Sequence, residues 1–468
     1  MRGWGRGGIS RWTPALLFLA GLYLFLLLLS QKYIREQPMS IRELAGRQKI
    51  VNEDYKEEER GVPKVEKTND NEGVLNGQLK EMEQPKKFVF TFKSSQYPPF
   101  EVENVLTNSF VSFNDRMNAE VRPNEGRKMI LSWDAGHSAE NLKGCPDWNC
   151  DFITDKNQAD KADVILLTNG LSFVRRNKKQ IVVYFSQESP KNMQASVPTT
   201  DYFNISLGYR HDTLAASPYG YTVKLAKERP LGTVINNTRI WGKTKTAAWF
   251  VSHCSTNSLR ENFVAELKKY ITVDIYGGCM NGSHCPRGGE CEKMLDTDYH
   301  FYMALENSIC TDYITEKVWS QGYERDVLPV VLKRSIVENR LPPRSFLAVD
   351  DYSTVKEMAD HMKALMDNKT AYLEYFSWRR HYQTVFLNGR EHNALERPWG
   401  FCQLCRLAWL SNPPSMLIHD FRQWWDGSCE KDGETVNRIL NGSRHEKKDD
   451  KKLEVQKDKE HLRQARTV

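Results

Sequence analysis

The chain has 468 residues, 40% hydrophobic and 11% aromatic, which suffices for two core-bearing domains with extensions to spare. Its formal charge of +6 is small for that length and is set by 66 basic and 60 acidic residues in mixed-sign segments. A nucleic-acid-binding role is therefore disfavoured.

Residues 1–12 carry Arg2, Arg6 and Arg11 and read as a short cytosolic tail. Thr13 to Leu29 is one unbroken apolar run, near the lower length limit for a bilayer span, and is followed by Ser30, Gln31 and Lys32. No small-x-small cleavage pattern follows it, so residues 13–30 are expected to form an uncleaved transmembrane signal anchor. The arginines place its N-terminal side in the cytosol and the bulk of the chain in the lumen. A short span suits the thinner early secretory membranes. Residues 31–87, with EDYKEEER and NDNEG, are too charged to bury a core and read as a stem.

Residues 88–240 hold short apolar runs at Met129 to Trp133, Val164 to Leu167 and Ile181 to Phe185. That rhythm predicts a first α/β domain with a largely parallel sheet. Residues 241–395 repeat it, with strands at Ala247 to Val251, Val273 to Tyr276, around Phe301, at Leu328 to Leu332 and at Phe346 to Val349, and a helix from Ser258 to Tyr270. A further helix is signalled by the capping box of Thr354 and Glu357, with Met358, Met362 and Leu365 on one face. The expected fold class is α/β, two doubly wound Rossmann-like domains facing a cleft, with ligands at the carboxyl ends of the strands. Residues 396–430, with ERPWGFCQLC and WWDGSC, form an aromatic and cysteine-rich closing segment, and residues 431–468 read as a charged tail without a core.

All 10 cysteines lie beyond the anchor, where an oxidising compartment favours disulfides. Cys145 and Cys150 are expected to bound a pinned loop, as are Cys279, Cys285 and Cys291, with Cys429 a further candidate. The CxxC at Cys402 and Cys405 reads as a disulfide, since no second CxxC completes a zinc site. Sequons at Asn204, Asn236, Asn281, Asn368 and Asn441 point to the same compartment.

The most informative stretch is FYMALENSICTDYITEK, Phe301 to Lys317: an apolar strand that passes through Glu306 and Asn307 and opens a helix near Tyr313, Glu316 and Lys317. A strand emptying into a helix N-terminus favours an anion, and a lysine beside it suits phosphate. The two carboxylates would suit sugar hydroxyls. Together with LPVVL at Leu328 to Leu332, this stretch resembles the donor-binding motif of the GDP-fucose-dependent α1,3-fucosyltransferases, glycosyltransferase family ten. One departure is that Tyr323 to Asp326 stand where the family has glycine and a small residue. The resemblance implies the two-domain GT-B arrangement and donor contacts from Glu306, Asn307, Tyr313, Glu316 and Lys317. It also implies a diphosphate contact from Arg260, in SLRENFVAEL, and a general base at Glu188, in FSQESP on a loop after an apolar strand.

Between Lys128 and Glu430 the chain is most similar to the core α1,3-fucosyltransferases of invertebrates and plants, on the strength of LSWDAGHSAENLKGCPDWNC, FSQESP and ERPWGFCQLC. Trp133, His137 and Trp148 in the first of these stretches are candidate acceptor contacts, because aromatic faces beside polar groups suit sugar rings. The implied activity is transfer of L-fucose from GDP-fucose, with inversion, in α1,3 linkage to the asparagine-linked GlcNAc of N-glycan cores, by a single-pass type II Golgi membrane enzyme. No metal site is assigned and no cofactor is strictly required, although manganese or magnesium can stimulate. The expected partners are GDP-fucose, glycoprotein acceptors and one membrane, with no nucleic acid. Three alternatives are kept open: an enzyme acting on antennal lactosamine GlcNAc, a metal-dependent glycosyltransferase using the DxD of Asp296 and Asp298, and a noncatalytic luminal lectin or scaffold.

Overall fold

The computed structural model describes residues 88–90, 100–106, 126–143, 145, 149–169, 173, 179–193, 197–198, 200–279, 282–285, 289–387, 399–409 and 417–444. The expected anchor and stem, together with Trp148 and Asn281, lie outside these residues. No helix among the described residues is long and apolar enough to cross a membrane. The described residues all belong to one compact unit, Glu83–Val468.

The first parallel sheet contains β3 (Lys128–Ser132), β4 (Cys150–Ile153), β5 (Val164–Leu167), β6 (Ile181–Ser186) and β7 (Ile205–Gly208), in the order β4-β3-β5-β6-β7. The second contains β9 (Lys245–Phe250), β10 (Val273–Tyr276), β11 (Tyr299–Met303), β12 (Leu328–Val331) and β13 (Leu347–Ala348), in the order β10-β9-β11-β12-β13. Each sheet therefore places its second strand outside its first and then runs outward the other way. This is a doubly wound topology with a switch point between the first and third strands. Continuous apolar runs suit these positions because a parallel sheet is covered on both faces. In β5 every residue is 0% exposed.

Side-chain alternation sorts each strand onto two cores. In the first sheet Ile130, Val164, Leu166, Val183, Ile205 and Leu207 face one cluster, and Leu131, Ile165, Leu167, Val182 and Tyr184 face another. Both are completed from the far end of the chain. Phe401, Leu404 and Leu407 of a helix at Gly400–Trp409 cover the first, and Phe421 and Trp425 of a short helix at Phe421–Trp425 cover the second.

The second sheet draws its covers mainly from its own neighbourhood. Phe263, Val264 and Leu267 of helix α1 (Arg260–Leu267) and Met358 and Met362 of helix α2 (Val355–Asp367) pack on one face, while Ile314, Val318, Trp319 and Tyr323 pack on the other. The expected cap of α2 is present, since Thr354 accepts a hydrogen bond from the Glu357 amide at 3.1 Å. The Glu357 carboxylate reaches back to the amide of Ser353, one residue earlier than a strict capping box.

Three features depart from the sequence reading. First, β1 (Phe88–Phe90), β2 (Phe100–Val105), β8 (Gly220–Leu225) and β14 (Tyr382–Phe386) make a third, antiparallel sheet. Its strands come from widely separated segments, so no local rhythm announces it. At Gly220 a Cβ would lie 2.5 Å from the Trp319 ring and 2.7 Å from the Val385 carbonyl, so only glycine lets β8 pack there.

Second, the disulfides are Cys145–Cys402, Cys150–Cys405, Cys254–Cys279, Cys285–Cys291 and Cys310–Cys429: the expected loop closes between Cys285 and Cys291, while Cys279 pairs with Cys254 instead. Cys145 and Cys150 do not close a loop on each other, and the CxxC is not an internal disulfide. Each of its cysteines reaches back to the first sheet, because the helix that carries them packs there. Third, residues 434–444 are helical, and Val436 and Ile439 are 0% exposed in the core of the second sheet. The charged composition hid an apolar face, so the tail expected from 431 onward begins within a folded helix.

Candidate active site

The candidate site assembles where the donor stretch leaves the second sheet and meets the carboxyl end of the first. After β11 the chain carries Glu306 into a buried position, 8% exposed. A carboxylate there must be compensated. Glu306 accepts hydrogen bonds from the Thr315 amide and hydroxyl, each at 2.8 Å, and from Lys317 Nζ at 2.8 Å. Thr315 caps the helix that starts at Glu316, so the helix N-terminus expected to face a phosphate already holds an anion, the chain's own. Lys317 Nζ also donates to Thr315 Oγ1 at 2.7 Å and lies 3.7 Å from Glu316, with 16% of its side chain exposed. The lysine thus sits at the rim between two carboxylates, one of them buried.

Arg260 is 3% exposed and stands in the first turn of α1, after Leu259 in the left-handed conformation (φ 56°). Its guanidinium donates to the carbonyls of Leu305, at 2.5 Å, and of His253, at 3.2 Å, tying the ends of β9 and β11 together at the switch point. Burial lowers its pKa, opposed by Glu306 and Glu261. Neither of the surface ion pairs open to an early-helix arginine forms: Glu261 accepts from Thr256, and Glu266 pairs with Lys269. Asn307 is 9% exposed; its carbonyl accepts the Ser258 amide and its side chain accepts from Ser308 Oγ at 3.2 Å.

Glu188 is exposed on the loop after β6. Its Oε2 accepts a hydrogen bond of 3.0 Å from the Tyr313 hydroxyl, and the neighbouring Ser189 Oγ receives one of 2.6 Å from Ser308. Two consecutive residues of the first sheet's loop are therefore joined to two residues of the donor stretch. Tyr313 is 2% exposed, and burial pushes its phenol far up, with Glu306, Tyr219 and Glu188 adding to the effect. It remains a protonated donor.

Trp133 and His137 lie at the carboxyl end of β3, beside the switch point of the first sheet. Trp133 is half-buried, edge-on to Phe173, with Lys156 over its ring at 4.8 Å. His137 packs against Phe185 at 4.3 Å and Phe401 at 4.9 Å, and burial lowers its pKa. The DxD lies at the opposite, amino end of β11. Asp296 accepts from the Asp326 amide at 2.9 Å and from Arg325 at 3.2 Å, and Asp298 pairs with Lys245 at 3.4 Å. Arg325 and Asp326, in the stretch that departs from the family pattern, are what engage Asp296. Among the sequons, Asn236, Asn368 and Asn441 are exposed, and Asn204 is half-buried with its side chain accepting the Val182 amide.

Two residues that shape the site carry no local sequence signal: Tyr219, whose hydroxyl donates to the Gln187 carbonyl at 2.8 Å, and Arg340, which pairs with Asp312. Each acts across a sequence separation that no motif spans.

Two doubly wound sheets, with an exposed carboxylate from one set against a cation-bearing strand-to-helix motif of the other, define the nucleotide-sugar-dependent glycosyltransferase class. The chain matches Glycosyltransferase family 10 (fucosyltransferase) C-term over residues 240–424 and Fucosyltransferase, N-terminal over residues 125–220. It is 53% identical to alpha-(1,3)-fucosyltransferase fut-1 of Caenorhabditis elegans, over 76% of this chain and 82% of that one. It is also 34% identical to glycoprotein 3-alpha-L-fucosyltransferase A of Drosophila melanogaster, over 60% of this chain and 56% of that one. A crystal structure of an alpha1,3-fucosyltransferase with GDP-fucose aligns at a TM-score of 0.43 and 16% identity, over 64% of this chain and 96% of that one. The chain belongs to glycosyltransferase family 10, the fucosyltransferases.

Proposed function

We propose that this fucosyltransferase transfers L-fucose from GDP-fucose, with inversion, to the 3-hydroxyl of the asparagine-linked GlcNAc in N-glycan cores of glycoproteins. The acceptor oxygen attacks the anomeric carbon as Glu188 takes its proton. The bond from that carbon to the diphosphate oxygen breaks, and GDP leaves with the electron pair. Lys317 and Arg260 supply positive charge on the leaving-group side, where charge develops in the transition state. Glu306, Asn307 and Glu316 frame the donor, and Trp133 and His137 the acceptor.

The observation that carries this reading is the exposed carboxylate of Glu188, one hydrogen bond of 3.0 Å from the donor stretch. A general base must stand within hydrogen-bond reach of the hydroxyl attacking the donor, and the link from Glu188 to the donor stretch supports that role for this loop. The positive charge of Lys317 and Arg260 supports a reaction with no strict need for a divalent cation, which manganese or magnesium can stimulate. The engagement of Asp296 and Asp298 by Arg325 and Lys245, at the far pole of the sheet, argues against the DxD reading. Five disulfides among the described residues and three exposed sequons support a lumenal catalytic portion, held as a type II protein of the Golgi membrane. The 34% identical glycoprotein 3-fucosyltransferase supports an acceptor carried on protein.

Glycan mass analysis after incubation with GDP-fucose and a panel of defined N-glycans tests the proposal. We expect α1,3-fucose on the innermost GlcNAc, with activity retained in excess chelator. Fucose confined to antennal lactosamine would replace the acceptor assignment, and activity abolished by chelator would return the DxD to consideration.

A further inference from the structure

We propose that Tyr313 is a positioning residue for the base: its hydroxyl orients the Glu188 carboxylate, and a buried clamp of Asp312, Arg340 and the His211 amide holds the phenol in place. This rests on the reading of Glu188 as the base. The donor stretch alone suggests a different job, since Tyr313 belongs to a donor-binding motif. In the structure its hydroxyl donates across to the other sheet, to Glu188 Oε2 at 3.0 Å. Its ring also leaves the second sheet, packing edge-on against Tyr209 at 4.9 Å within a core of the first.

The residue before it explains how that posture is held. Asp312 adopts the left-handed conformation, φ 63°, uncommon for a residue with a Cβ and held only when surrounding contacts enforce it. Those contacts are present. The Asp312 carboxylate accepts from Arg340 Nη2 at 2.8 Å and from the His211 amide at 2.9 Å, with its side chain 7% exposed. Arg340 is anchored in turn, its carbonyl accepting from Thr222 of β8 at 2.8 Å. Burial pushes the Asp312 carboxyl up, but His211 and Arg340 outweigh it and hold it below its usual range, so the pair stays charged. The clamp thus draws on the loop after β7, the third sheet and the loop after β12.

A phenol donated to one carboxylate oxygen leaves the other free for the acceptor hydroxyl and fixes the direction in which it points. The ionisable groups around the phenol include Glu306, Tyr219, Glu188, Tyr209 and Arg260. Of these, Glu306 is engaged by Thr315 and Lys317, and Tyr219 donates to Gln187.

The test is a double-mutant cycle on the catalytic portion with GDP-fucose and a defined N-glycan, using Tyr313→Phe, Glu188→Gln and both together. Tyr313→Phe should lower kcat roughly tenfold to a hundredfold, the worth of one hydrogen bond to a charged group. It should leave GDP affinity within about twofold, because the phenol is spent on the base. The double variant should be no slower than Glu188→Gln alone. Asp312→Asn, which weakens the clamp without touching the phenol, should shift kcat the same way by a smaller factor. GDP affinity falling in step with kcat would make Tyr313 a donor ligand and overturn the proposal. Additive losses in the double variant would overturn it too. Near-normal turnover in Glu188→Gln would instead remove the base reading beneath it, so the two failures are told apart.

Discussion

The two parallel sheets share a strand order but complete their cores differently. The second sheet is covered largely by helices that follow its own strands, α1 and α2 among them, with the helix at 434–444 added last. The first is covered on both faces by segments from beyond residue 399, and its disulfides span sequence separations of 257 and 255. Most of the second sheet's core is thus encoded within one continuous stretch, joined from the far end by Val436 and Ile439. The first sheet cannot cover either face until nearly the whole chain has been made. Nearby covers need little loop closure; distant ones carry a larger entropic cost, which cross-links relieve in the unfolded chain.

The sharpest way to break this contrast is to remove both staples. Cys402→Ser with Cys405→Ser should destabilise the protein by about 2 to 5 kcal/mol per disulfide and leave little secreted enzyme at physiological temperature. Removing Cys254–Cys279, whose separation is 25, should be milder. Denaturant midpoints and secretion yields would decide, and equal losses in the two cases would erase the distinction between the sheets.

Next in size is the division of labour across the site. Glu188→Gln, on the first sheet, should lower kcat by about 10²- to 10⁴-fold with GDP affinity nearly unchanged, since it removes the proton acceptor and keeps the shape. Lys317→Ala, on the second, should weaken GDP binding and slow transfer together, at about 2 to 4 kcal/mol in barrier. Because Lys317 also compensates buried Glu306, its variant needs a thermal melt beside the kinetics. Calorimetric GDP titration of both variants separates the roles, and a shared loss of GDP affinity would merge them.

The smallest effect concerns the pole of the second sheet opposite the donor. Lys243 is 5% exposed and donates to the carbonyls of Leu295 and Tyr299 at 2.7 and 2.6 Å. Burial lowers its pKa from 10.5 to about 7. Between those values the unfolded chain binds the proton that the folded chain has lost. Stability contributed by this group therefore rises with pH from about 7 upward and is lost as pH falls through that value, at a slope of about 1 kcal/mol per pH unit. Urea midpoints at pH 7 and 9 should show the slope in the native protein and its absence in Lys243→Met. The same slope in both would assign it to other groups.

Much of both parallel sheets could be read directly. The apolar runs at Val164 to Leu167 and Val273 to Tyr276 are strands with those bounds, and the Thr354 cap and the buried Met358 and Met362 fall where helical spacing puts them. Glu306, Tyr313 and Lys317 could be named together because they share a contiguous motif. The strands β4 and β7 and the antiparallel sheet could not be read, since Cys150–Ile153 and Gly220–Leu225 are short and partly polar and find their partners far away in sequence. The helix at 434–444 was hidden by its charges, because Val436 and Ile439 make an apolar face only once the segment is wound.

The sequence by itself determined that this is a fucosyltransferase: hydrophobic periodicity specified the α/β repeats, and the stretch from Phe301 to Lys317 specified the family, because both signals are local in the chain. Only the tertiary structure decided that Cys402 and Cys405 staple the first sheet, that Glu306 fills the helix N-terminus, and that the Tyr313 hydroxyl meets Glu188. Those pairings join residues that no spacing relates, and each is fixed by which buried surfaces and buried charges must satisfy one another once the two sheets have packed.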